Sequence, residues 1–128
     1  MSYAPNTVAP MSYDMTVWEG EPPADDVAAS ATFEALYEQY VDREYPTPPT
    51  SKIAEFVAIL VKRWPDDTDE AFDESPWAAA PLIREASGPF MYFAMTYGRA
   101  DEAASFAAAT AAELGLVCFN PQEGRLWR

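Results

Sequence analysis

The sequence predicts an α+β fold: one mainly antiparallel sheet with helices, in the order β-α-α-β-β-α-β. Period-two alternation over 12–18 and 90–97 predicts strands. Apolar positions spaced three and four apart over 25–41, 51–64 and 101–114 predict helices. Glycine and proline clusters separate these segments. With the first two helices counted as one crossover, the order is βαββαβ, that of a four-stranded ferredoxin-like (split βαβ) sheet. Such a layout places the helices on one sheet face and leaves the other partly open or covered by the chain ends.

Residues 1–10 contain Pro5 and Pro10 but no charged side chain and no periodicity, and read as a flexible N-terminal extension. Met-Ser-Tyr recurs at Met11, so a single domain is expected over 11–128. In the first strand Tyr13, Met15 and Val17 alternate with Asp14, Thr16 and Trp18, and Gly20 with Pro22-Pro23 ends it. Asp25 or Asp26 caps a helix whose apolar face is Phe33, Leu36, Tyr37, Tyr40 and Val41. Tyr45-Pro46-Thr47-Pro48-Pro49 is a linker, too rich in proline for helix or central strand.

Thr50 or Ser51 starts the second helix, with the stripe Ile53, Phe56, Val57, Leu60, Val61 and Trp64. Lys62 and Arg63 complement the dipole of its last turn, and Pro65 ends it. Residues 66–74 read as an exposed loop, because burying that many charges costs too much. A short strand at 82–86 joins the strand at 90–97 through Ser87-Gly88-Pro89. The latter is apolar on both faces and therefore central. Asp101 caps the last helix, lined by Ala103, Phe106, Ala107, Thr110 and Leu114, and Gly115 suits the position after its end. A final strand at 116–119 and a short extended piece at Leu126-Trp127 complete the chain.

With 128 residues, 49% of them hydrophobic, the chain is large enough to bury a core without metal or disulfide. It has one cysteine, Cys118, set between Val117 and Phe119; it reads as a small buried hydrophobe in a reducing, cytoplasmic compartment. There is no histidine, which removes Ser-His-Asp triads, Cys-His dyads and histidine metal sites. The five glycines are scattered, with no phosphate-binding GxGxxG or Walker pattern. No cofactor, metal or enzymatic activity is expected. No apolar run approaches membrane length, and the first residues lack the basic start and apolar core of a secretory signal.

A net charge of −13 repels nucleic acid and anionic membranes and attracts basic proteins. Six carboxylates fall within nine residues: Asp66, Asp67, Asp69, Glu70, Asp73 and Glu74. The segment lacks the glycine of a calcium loop. As a docking surface for a basic partner protein it would use these carboxylates, with Phe72 and Trp77 as apolar anchors. The alternatives are a plain solvated connection and a Trp77 that closes the core. Asp14, Glu19 and Glu85 are further carboxylates for acid/base chemistry, but no spacing brings any two together. Rival functions are an acidic nucleic-acid-mimic decoy, a histidine-free enzyme using carboxylates and tyrosines, and a homodimer formed by pairing sheet faces. The sequence leaves monomer and homodimer open.

Three stretches carry a resemblance: 11–20 (Met-Ser-Tyr-Asp-Met-Thr-Val-Trp-Glu-Gly), 73–77 (Asp-Glu-Ser-Pro-Trp) and 115–122 (Gly-Leu-Val-Cys-Phe-Asn-Pro-Gln). Together they resemble a family of small acidic bacterial proteins that is similar to immunity proteins neutralising polymorphic toxins. The resemblance spans residues 11 to about 126 and departs from the family at Asn120, where aspartate is the pattern. It implies a toxin domain as the basic partner and assigns no catalytic residue.

Overall fold

The structure is a computed structural model that describes residues 12–41 and 47–127. The expected extension at 1–10 and part of the proline linker lie outside the described residues. The described chain forms an α+β fold with a five-stranded antiparallel sheet. Its strands are β1 (Ser12–Trp18), β2 (Ala86–Ser87), β3 (Phe90–Thr96), β4 (Val117–Asn120) and β5 (Arg125–Leu126). The helices are α1 (Asp26–Leu36), α2 (Ser51–Arg63), α3 (Asp69–Glu74) and α4 (Ala100–Glu113). Among the described residues no helix is long and apolar enough to cross a membrane.

The sheet order is β2-β3-β1-β4-β5. Central β1 pairs with β3 from Ser12↔Thr96 to Trp18↔Phe90, and with β4 from Thr16↔Phe119 to Trp18↔Val117. This register puts Met15, Val17, Met91, Phe93, Met95 and Cys118 on one face, within the larger core cluster. There α2 contributes Ile53, Phe56, Val57 and Leu60, and α4 contributes Ala103, Ala104, Ala107 and Ala111. Small alanines let the α4 backbone approach the sheet closely. Trp18, Phe90, Val117 and Phe119 occupy the other face and form a second cluster with Ala29 and Phe33 of α1.

Helices therefore cover both faces, which corrects the one-sided expectation. Phe33 of α1 packs on the aromatic face of the sheet, whereas the mixed aliphatic and aromatic α2 stripe packs on the methionine face. The expected four strands become five because Asn120 turns the chain back. Its Oδ1 accepts from Gln122 N at 2.9 Å and Glu123 N at 3.0 Å, and Gly124 follows with φ +66°. Leu126 and Arg125 then pair with Phe119 and Asn120.

Local capping explains where elements start and stop. Asp25 accepts from Ala28 N at 2.8 Å, and Thr50 from Ile53 N at 3.3 Å. The long first helix ends early: after Leu36 it widens into a π-helical turn, Tyr37–Val41. Residues 82–86, expected as a strand, form a 3-10 turn over Leu82–Glu85, and β2 begins only at Ala86. Asp66 holds that turn by accepting from Leu82 N at 2.6 Å. Asp101 does not cap α4; it lies with Glu102 in the first turn, where negative charge suits the dipole. At the other end Leu116 N bonds Ala111 O (2.8 Å) and Gly115 N bonds Ala112 O (3.2 Å), the Schellman pattern, with Gly115 at φ +73°.

Candidate functional site

The acidic segment is a short helix rather than the expected loop. Thr68 Oγ1 accepts from Ala71 N at 3.0 Å, and Asp69 and Glu70 in the first turn favour the positive end of the dipole. Asp67, Asp69, Glu70, Asp73 and Glu74 are exposed. Asp66 is half-buried and engaged with Leu82 N, so its carboxylate acts in the fold. Phe72 is half-buried against the larger cluster.

Trp77 is 1% exposed, which corrects its placement among surface anchors. Its indole Nε1 donates to Trp64 O at 2.9 Å, and its ring meets Trp64 edge-on at 5.7 Å. A short bridge ties it to Met95 at the edge of β3. The nearby sequence offered a partner contact or a core lid, and the core position prevails because Met95, Phe93 and Trp64 provide an apolar seat. The docking surface of this segment is thus five carboxylates and part of a phenyl ring.

A second concentration of chemistry lies on the α1 face, and sequence reasoning missed it. An open groove of about 630 Å³ is lined by Phe33, Glu34, Tyr37, Glu38, Tyr92, Pro121 and Gln122. Phe33, Tyr37 and Tyr92 touch one another, with ring centroids 5.8, 6.0 and 5.6 Å apart. Tyr37 is 40% exposed. The Tyr92 hydroxyl donates to Asp14 Oδ2 at 2.6 Å, and Ser12 Oγ donates to Asp14 Oδ1 at 3.0 Å. Gln122 binds the same strand twice, its Oε1 accepting from Asp14 N and its Nε2 donating to Ser12 O, each at 3.2 Å. Burial and the Asp14 carboxylate hold the Tyr92 phenol well above its ordinary range, so it serves as a neutral donor. Tyr37 and Tyr92 also line a neighbouring groove of about 340 Å³ with Arg84 and Glu85.

The i,i+4 spacing of Phe33 and Tyr37, and the side of β3 that carries Tyr92, were legible signals for this groove. The register joining Tyr92 to the strand that carries Asp14 was not. Asp14 is committed to Tyr92 and Ser12. Glu85 sits in the neighbouring groove, its carboxyl raised by burial. Glu19 follows β1 with one carboxylate oxygen buried and unpartnered. Among the described residues, no three Cys, Asp or Glu side chains converge as a metal site requires. Cys118 is 5% exposed, and burial pushes its thiol up to about 12, which leaves it a poor nucleophile.

No protein-family model, curated protein or solved structure matches this chain.

Proposed function

We propose that this chain is a non-enzymatic binding protein of immunity or inhibitor type, cytoplasmic, whose acidic surface occupies a basic partner such as a toxin domain. The supporting observation is uncompensated charge. Asp67, Asp69, Glu70, Asp73 and Glu74 are exposed, and no described side chain pairs with their carboxylates. Between described residues the one ion pair is Arg99–Glu102, at 2.8 Å. A chain of charge −13 with these five carboxylates exposed on and just before one short helix projects a field that speeds encounter with cationic proteins and turns polyanions away. For the fold, the antiparallel order β2-β3-β1-β4 supports a ferredoxin-like reading, with β5 as an added edge strand.

The test neutralises α3 while sparing Asp66, which the fold needs. A variant combining Asp67→Asn, Asp69→Asn, Glu70→Gln and Asp73→Asn should stay folded, losing at most about 1–2 kcal/mol because Asp69 and Glu70 sit in the first turn of α3. Association with a basic partner identified by affinity capture should slow, and its dependence on salt should flatten. Unchanged rates and salt slopes would reduce α3 to a solvated connection.

A further inference from the structure

We propose that the groove between α1 and the sheet receives an arginine side chain of the basic partner, stacked on Tyr37 and paired with Glu34 and Glu38. The proposal rests on the reading of the chain as a binder of basic proteins and names the anchor that the acidic helix lacks now that Trp77 is buried. Three features of the groove fit a guanidinium. Its wall is aromatic, and Tyr37 offers an accessible ring held in place by Phe33 and Tyr92. A planar guanidinium stacks on such a ring while its edge donates to carboxylates. The rim is anionic: Glu34 and Glu38 stand four residues apart, both exposed, and like charges at that spacing repel until a cation separates them. Among the described residues no lysine or arginine lines this groove; Arg84 lines the neighbouring one.

A neighbouring carboxylate steadies the wall. Asp14, next to the groove, accepts hydrogen bonds from Tyr92 and Ser12, and so ties the Tyr92 ring of the aromatic wall to β1. The π-helical turn widens the backbone at Tyr37, and such turns recur at functional sites. The groove opens on the α1 face, whereas Phe72 of α3 packs against the core of the opposite face, so the two surfaces are separable by residue-level measurement.

The probe is a short peptide of alternating glycine and arginine, with a control in which neutral citrulline replaces arginine. Binding is followed at about 10 mM salt, where screening extends over ~30 Å. Amide shifts on arginine peptide addition should centre on Tyr37, Glu38, Tyr92 and Gln122, and the citrulline peptide should produce none. Tyr37→Ala should weaken binding about fivefold or more, and Tyr37→Phe should keep most of the affinity. Glu34→Gln with Glu38→Gln should weaken it similarly and flatten the salt slope. Thermal melts of all variants separate lost binding from lost folding. If the arginine peptide binds but shifts only residues 67–74, with Tyr37→Ala unchanged in affinity, the groove assignment fails and the acidic docking reading stands. If the arginine peptide does not bind at all at low salt, both fail.

Discussion

The two faces of the sheet are packed by different rules. On the methionine face, α2 and α4 lie side by side and leave Met15, Val17, Phe93 and Met95 with no solvent contact. On the aromatic face the helical cover among the described residues is α1 with the π-helical turn that follows it. A helix is about 10 Å across and strands lie about 4.8 Å apart, so one helix covers roughly two strands. It seals Trp18, Phe90 and Phe119 and leaves Tyr92, Ala94 and Asp14 half-exposed beside it. The residues at that margin are amphipathic: tyrosines with one wet end, a carboxylate and a glutamine. The difference teaches that an unequal number of helices on two faces leaves a groove where apolar rings and polar groups meet.

The contrast should show most strongly in matched phenylalanine deletions. Phe93→Ala, in the sealed core, should cost about 3–5 kcal/mol and come close to unfolding the chain at room temperature. Phe33→Ala, on the half-covered face, should cost only ~1–2 kcal/mol, because part of that ring is already wet. Urea titrations of both variants would check this, and equal losses would dissolve the distinction between the faces.

Asn120→Ala should come next, at about 2–3 kcal/mol. It removes two bonds accepted from the turn and one donated by Nδ2 to the Tyr13 hydroxyl at 2.9 Å. Loss of hydrogen-exchange protection in β5 should accompany it, since this turn creates the fifth strand. Gly88→Ala should cost roughly 1–2 kcal/mol. Gly88 has φ +58°, and an added Cβ would lie 2.7 Å from the Tyr40 ring. Altered proton shifts of Tyr40 with an intact methionine face would place the damage on the α1 side.

The last comparison concerns pH. The folded Cys118 thiol titrates near 12 against an ordinary 9.0, so the unfolded chain releases its proton first. The contribution is complete below pH 9 and is lost as pH rises from 9 towards 12. Tyr13 and Tyr92 are raised too, so their loss begins near pH 10 and adds to it. Cys118→Ala should make the alkaline fall in stability shallower, as read from urea midpoints across this range. An unchanged slope would mean that the thiol does not sense its burial.

Elements with strong local signals were legible in the sequence. β1 follows its alternation over Ser12–Trp18, α2 follows its stripe and its Thr50 cap, and Gly115 ends α4 as its position predicted. Segments whose local signals conflict, or whose state depends on a distant partner, were not. Residues 66–74 carry a helix signal in Thr68, but six carboxylates outweighed it in a charge-based reading. The 82–85 turn depends on Asp66, sixteen residues earlier. Of the candidate site, the acidic concentration was visible as composition, while the groove required Tyr92 and Asp14 to meet across 78 residues.

The sequence by itself determined the α+β class, the charge, the absence of histidine chemistry and the apolar faces of the strands and helices, because each follows from residue identity or local periodicity. Only the tertiary structure decided which sheet face each helix covers, whether Trp77 is surface or core, and where aromatic rings and carboxylates converge. Periodicity marks which side of an element is apolar but not which partner buries it. That choice is made by shape and volume between residues far apart in the chain, as where Phe33 of α1 meets Phe90 and Phe56 of α2 meets Phe93 on the opposite face.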